Sequence, residues 1–253
     1  VKSVKGWMRN FLYPAAFAAG FLALWEAAVR VFRIPVYLLP ASSAVAAELD
    51  AQLWRHTLVT LTEASVGFVL ANLLGFLAAV IFVHARPIER GAFPLAIALK
   101  TTPLVALAPL LVVWLGTGYA SKVVASMLIC FFPILVNSVR GLKAIEHEAW
   151  ELFATYGGSK WDIFRKLRLP ASLPYVMSAL KISSSLAVVG AIVGEFVGAN
   201  KGLGYVVLVS SYHLETPAMF SAILASAACG LSLFWLLSFL EKKLVFWQRV
   251  DEV

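Results

Sequence analysis

Residues 151–170 read ELFATYGGSKWDIFRKLRLP, a polar and basic run in a chain of 253 residues that is 61% hydrophobic and 14% charged. Its punctuation predicts two short helices. Glu146, Glu148 and Glu151 stand toward the start of the first, Glu146–Tyr156; Arg165, Lys166 and Arg168 stand toward the end of the second, Lys160–Leu167. Both gradients suit the helix dipole. Gly157 and Gly158 supply a positive-φ stop for the first helix. Ser159, three residues before Asp162, makes a capping box with Asp in place of the usual Glu, and Pro170 is expected to end the second helix. Trp161, Phe164 and Leu167 recur by three, an apolar stripe among basic residues that needs a cover. That cover is either the chain's own membrane ends or a separate protein.

Outward from this run the chain turns apolar, with a mean hydropathy of +0.85. A bilayer core of about 30 Å needs roughly 20 apolar residues per helical span. Six such windows appear, at 11–29, 61–83, 93–115, 123–139, 175–197 and 217–240. None shows the ten-residue alternation of a barrel strand. The fold class is therefore an all-α membrane protein, a polytopic bundle of six transmembrane helices. It is expected to form one domain over residues 1–253, with the bundle core at about 61–240 and a cytoplasmic loop at 140–173. The run after Lys2, Lys5 and Arg9 is too long for a leader and lacks a small-x-small site, so it reads as an uncleaved first span.

The net charge of +7 raises nucleic acid as a partner, and the placement of the basic residues answers it. With the N-terminus in the cytoplasm, the inner segments hold Lys2, Lys5, Arg9, Arg86, Arg90, Arg140, Lys143, Lys160, Arg165, Lys166, Arg168, Lys242, Lys243 and Arg249. The outer segments hold Arg30, Arg33, Arg55, Lys122 and Lys201, and Lys100 and Lys181 fall within spans. Fourteen against five is a positive-inside bias. It places both termini in the cytoplasm, with membrane lipid rather than nucleic acid as the surroundings.

Within the spans, small residues recur by four at Gly67, Ala71, Gly75 and Ala79, and again at Gly190, Gly194 and Gly198, which marks helix-packing faces. Ser42 or Ser43 can cap a helix that runs on without a breaker into the second span. Pro103 and Pro109 interrupt the third span, with Lys100 just before them. This is either a translocation pathway with broken backbone or a kinked packing helix whose lysine snorkels. Glu195, the one acid of the fifth span, either reaches water or belongs to an outer gate with the Gly202–Gly204 turn. Cys130 and Cys229 sit inside spans as packing residues. The histidines His56, His84, His147 and His213 lie at span ends, and there is no H-E-x-x-H or G-x-S-x-G pattern and no phosphate loop. No catalytic residue, metal site or cofactor is expected in this chain.

Glu151, Gly157 six residues later, then Leu167, Leu169 and Pro170 resemble the EAA loop of binding-protein-dependent ABC importer permeases, E-A-A-x3-G-x9-I-x-L-P. Leu152 and Phe153 replace the usual alanines and Leu167 the isoleucine. PVYLLPASSAVAAEL, TTPLVALAPLLVVWLGTGYASKVV and VVGAIVGEFVGANKGLGYVV are similar to the nitrate, sulfonate and taurine branch of these permeases. The resemblance implies the type I importer fold and a bacterial cytoplasmic membrane. It implies a homodimer, a cytoplasmic ATPase dimer holding ATP and Mg, and an extracytoplasmic solute-binding protein. Glu151, Ala154, Gly157, Ser159, Trp161, Leu167 and Pro170 would carry the coupling to the ATPase. Lys100, Pro103, Pro109, Glu195, Gly202 and Gly204 would belong to the pathway or gate. The solute would be a small anion or a heterocyclic vitamin precursor. The alternatives are an ATP-independent channel or facilitator and, more remotely, an intramembrane enzyme.

Overall fold

The apolar windows become the long helices of the computed structural model, which describes residues 4–247. Helices α1 (Val4–Val31), α3 (Ala51–His84), α6 (Tyr119–Lys143), α9 (Leu169–Glu195) and α11 (Thr216–Leu244) each carry a stretch long and apolar enough to cross a bilayer. Helices α4 (Arg86–Thr101) and α5 (Leu104–Leu115), whose axes differ by 100°, are long and apolar enough for a further crossing only when taken together. Short helices α2 (Ser42–Ala47), α7 (His147–Thr155), α8 (Lys160–Ile163) and α10 (Leu203–His213) complete the chain, and no strand occurs among the described residues. Lys2 and Arg249 lie outside the described residues, and of Lys5 and Arg9 only the backbone is described.

Helix α6 is the axis of the bundle, gripped by α3 on one side and α9 on the other. Absent side chains make the grip close. A Cβ on Gly67 would stand 2.6 Å from Ser126 Cβ, and one on Gly75 would stand 2.9 Å from Ile134 Cγ2. From the other side, a Cβ on Gly190 would stand 2.6 Å from Ser126 Cα. Contact this close recovers dispersion energy where water is absent to drive association. Gly198 does not belong to the α9 stripe. That helix ends at Glu195, and Gly198 lies in the following turn at φ +70°, against Thr117.

Four local expectations are corrected. Pro170 does not stop the second loop helix: α8 continues through a π-helical turn, Phe164–Arg168, into α9. The wide turn hands the Leu169 N–H to Phe164 O, five residues back, and so makes room for a ring that would crowd an α-helical carbonyl. Of the two prolines in the third span only Pro103 breaks it. Thr102 before it is extended at φ −71° and ψ 124°, as a residue preceding proline prefers, while α5 runs through Pro109. Ser42 and Ser43 do not cap α2, because their hydroxyls and the Ser43 N–H donate to Glu26 on α1 at 2.7–3.0 Å. Nor does α2 run on into α3, since Asp50 starts α3 afresh by accepting from Leu53 N–H at 2.7 Å.

Candidate functional site

The end of the bundle that carries the 140–173 loop is marked by an ion pair between Lys143, closing α6, and Glu89, opening α4, at 2.6 Å. Beyond it α7 projects with no substantial contact to any other helix. It stops where Gly157 takes φ +75°, a conformation open to glycine, with Gly158 N–H returning to Phe153 O at 2.9 Å. The next helix starts on a complete capping box. Ser159 Oγ accepts from Asp162 N–H at 3.1 Å, and the Asp162 carboxylate accepts from Ser159. Asp162 also pairs with Lys166 at 2.8 Å. Lys166 first, then Ser159, holds this loop carboxyl down at about 2.

Two side chains root the loop in the bundle. Ile163 is buried, and Phe164 meets the His84 ring edge-on at 5.6 Å between centroids. The stripe read from sequence therefore divides: Phe164 turns inward, whereas Trp161 stacks on its outer side at 5.6 Å and stays 66% exposed. Trp150, Leu152 and Tyr156 are exposed as well. Glu151 is exposed with His147 Nε2 at 3.1 Å, and Leu167 and Pro170 are half-buried at the root. Ala154 lies on α7, its side chain outside what is described. The base thus presents an apolar face that nothing among the described residues covers.

The break before Pro103 opens a cavity of ≈200 Å³ lined by Lys100, Thr101, Thr102, Pro103, Leu107 and Phe132, among others. Because α5 has 12 residues, the break lies about 18 Å along the helix from its far end. The Lys100 ammonium stands 4.7 Å from the centroid of Phe132 and has no acidic partner among the described residues. Pro109 does not line the cavity.

At the end of the bundle opposite the loop Glu195 does not reach water; it is 1% exposed. Its Oε1 accepts from Thr60 Oγ1 at 2.6 Å and its Oε2 from Gly204 N–H. Thr60 Oγ1 in turn accepts from Leu203 N–H at 2.7 Å, and His56 Nδ1 accepts from Gly202 N–H at 3.0 Å. Three successive amides of the turn after α9 are thus tied to α3 and to Glu195. Gly202, at φ +106°, leaves no room for a side chain, since a Cβ would collide with the Glu195 carboxyl. Charge counting puts Lys122 in an outer segment, yet it is 2% exposed in the first turn of α6, with its Nζ donating to Thr117 O. Glu63 on α3 is also buried. The structure brings together Glu195, Gly202 and Gly204 and adds His56, Thr60, Glu63 and Lys122. Glu63 was findable, being the sole acid of its apolar window, by the same rule that marks Glu195.

Comparison with known proteins matches residues 71–246 to the family described as binding-protein-dependent transport system inner membrane component. The formylaminopyrimidine transport permease protein ThiX of Halalkalibacterium halodurans is 35% identical over 242 residues, covering 94% of this chain and 96% of that protein. The riboflavin transport system permease protein RibX of Chloroflexus aurantiacus is 34% identical over 232 residues, covering 90% and 87%. A solved structure of the MetNI methionine ABC transporter, inward facing, superposes with a TM-score of 0.67 at 21% identity, covering 76% of this chain and 96% of that one, and so shares the fold. With more than half its length matched, the chain belongs to the family of binding-protein-dependent transport system inner membrane components.

Proposed function

We propose that two copies of this chain form the membrane path of an importer for a small nitrogen heterocycle, with the 140–173 loop seated on a cytoplasmic ATPase dimer. Family membership makes the chain a permease subunit of an ATP-driven, binding-protein-dependent importer, working with a separate ATPase and a solute-binding protein. In this reading the membrane is the bacterial cytoplasmic membrane, both termini lie in the cytoplasm, and ATP and Mg are held by the ATPase. The observation that carries the coupling role is the loop itself: Trp150, Leu152, Tyr156 and Trp161 exposed on a base fixed by Gly157, the Ser159–Asp162 box and Phe164. ATP binding would draw the ATPase subunits together, move the loops as levers and rock the bundles so that the path opens outward; hydrolysis would reset them. Glu151, Ala154, Leu167 and Pro170 take their place in this role from the motif they share with the family.

The heterocycle follows from the relatives named for a pyrimidine and a flavin, each about one-third identical over most of both chains. The cavity at the α4–α5 break has the matching chemistry. Lys100 suits a ring carbonyl, the Thr101 and Thr102 hydroxyls, which donate to Ala98 O, can accept from ring N–H groups, and Phe132 offers a face for stacking. The test is uptake into proteoliposomes carrying the permease, its ATPase and its binding protein. ATP-dependent uptake of a labelled pyrimidine or flavin, lost in Glu151→Arg, is the expected outcome. Flux without ATP would overturn the importer reading. Full activity in Glu151→Arg would overturn the loop's role, and uptake of a sulfonate in place of the heterocycles would overturn the solute.

A further inference from the structure

Lys181, which falls inside the fifth apolar window, has a partner. On α9 it donates to the Glu241 carboxylate of α11 at 2.7 Å, and the two side chains are only 20% and 9% exposed. Among the described residues one other ion pair joins helices distant in sequence, Lys143–Glu89, and its lysine is 47% exposed. An apolar pair of similar volume would hold two helices at least as well, because the desolvation of two charges offsets their attraction. An ion pair set between two spans therefore points to work other than stability.

The way α11 is held shows what that work is. Near its middle, Ala222 and Cys229 share a core with Ala187 and Val188 of α9. The two backbones are not interlocked there: a Cβ on Gly230 would find Ser185 Cα at 3.8 Å, an ordinary contact. Across the α6–α9 seam, by contrast, a Cβ on Gly190 or Gly141 would meet a backbone Cα at 2.6 or 2.9 Å. Beyond Gly230 no residue of α11 is buried until Glu241, so the ten residues 231–240, about 15 Å of helix, stand free of the core. The end of α11 nearer the loop is thus held to α9 by the ion pair. Helix α9 is in turn one piece with the loop, since α8 passes through the π turn into it. At its other end α11 packs on α2, and Thr216 Oγ1 donates to Val36 O.

We infer that Lys181 and Glu241 are the tie that carries the movement of the loop from α9 to α11, and through α11 to α2 and the chain at Val36. The inference rests on the importer role and adds two positioning residues to it. A dispersion contact loses a quarter to a half of its strength over a gap of about 0.5–1 Å, so packing alone would let α11 lag when α9 is pulled. The attraction between opposite charges falls only as the inverse of their distance and is strong where water is scarce, so the pair goes on pulling through the same displacement. Letting go would leave two charges unpaired in a span, which makes following the cheaper course for α11.

The test separates holding from pulling. The permease–ATPase complex is placed in lipid nanodiscs, and three things are measured: the unfolding midpoint, the basal ATPase rate, and the stimulation of that rate by the solute-binding protein carrying its own solute. In the apolar pair Lys181→Met with Glu241→Leu, the midpoint stays level or rises. The basal rate is unchanged, while stimulation falls by ~fivefold or more, the scale of an ordinary coupling free energy. The exchanged pair, Lys181→Glu with Glu241→Lys, recovers part of the stimulation. Undiminished stimulation in the apolar pair overturns the tie. A midpoint that falls together with stimulation makes the pair a brace and overturns it too, as does an exchanged pair that keeps the native midpoint and recovers nothing. A complex without substitutions that the binding protein fails to stimulate overturns the importer role itself.

Discussion

The two ends of the bundle handle polarity in opposite ways. At the loop end the backbone is satisfied within the loop, by the Gly157 stop and the Ser159–Asp162 box, while large apolar side chains stand exposed. At the opposite end the charges are buried, and backbone amides of Gly202, Leu203 and Gly204 reach across to His56, Thr60 and Glu195 on other helices. In the proposed reading the loop can be pulled as one piece by a partner, because nothing among the described residues competes for its exposed face. The opposite end, in the same reading, would open only by exchanging hydrogen bonds, which would make it a threshold. The proposal thus assigns a lever to one end and a latch to the other, as alternating access requires.

The comparison breaks most severely if the lever loses its shape. Gly157→Pro forces φ from +75° toward −65° and misdirects the chain between α7 and α8, a local cost of ~3 kcal/mol or more. Because α7 makes no substantial contact with other helices, the bundle should insert and melt as before. Solute-stimulated ATPase activity in the purified complex should fall ~tenfold or more. A variant that kept full stimulation would show that the loop does not transmit force.

Most of the lever was legible in the sequence, and little of the latch was. Capping boxes and glycine stops are written within a few residues, so Ser159, Asp162 and Gly157 could be assigned from spacing alone. The long helices follow from apolar windows for the same reason. Thr60 and Glu195 meet only because α3, α6 and α9 pack in one register, fixed by contacts such as Gly67 on Ser126 between residues 59 positions apart. The π turn before Pro170 was missed because a proline rule describes an α-helix, and a wider turn escapes it. The same limit explains Ser42 and Ser43: their position fits a cap, and the acceptor that takes them, Glu26, lies one helix away.

The middle of the molecule, which both ends share, can be probed by a smaller change. In Gly190→Ala the new methyl would lie 2.6 Å from Ser126 Cα, a backbone atom that cannot turn aside, so α9 must back away from α6. Overpacking of this kind costs ~1–3 kcal/mol. Gly91→Ala, on α4 with nothing within 4 Å of the added carbon, should be neutral or stabilising by up to ~1 kcal/mol through helix propensity. Thermal unfolding in detergent separates them, and equal midpoints would mean that α3, α6 and α9 are not the rigid body through which lever and latch communicate.

The smallest effect should come from Ser159→Ala. It removes a hydroxyl that accepts from Asp162 N–H and donates to the Asp162 carboxylate, and leaves Phe164 against His84 and Ile163 in the core untouched. The loss of an N-cap is worth ~1 kcal/mol, here confined to one turn of helix in water. Asp162 keeps its partner Lys166, so the turn should fray rather than unfold. Hydrogen exchange should speed up at the amides of Lys160–Asp162 by ~fivefold, the factor that ~1 kcal/mol of local opening allows, with no change in the amides of Gly202–Gly204. If exchange at the outer turn rose together with that at the cap, the two ends would be one cooperative unit at rest, and the division of labour between lever and latch would have to be given up.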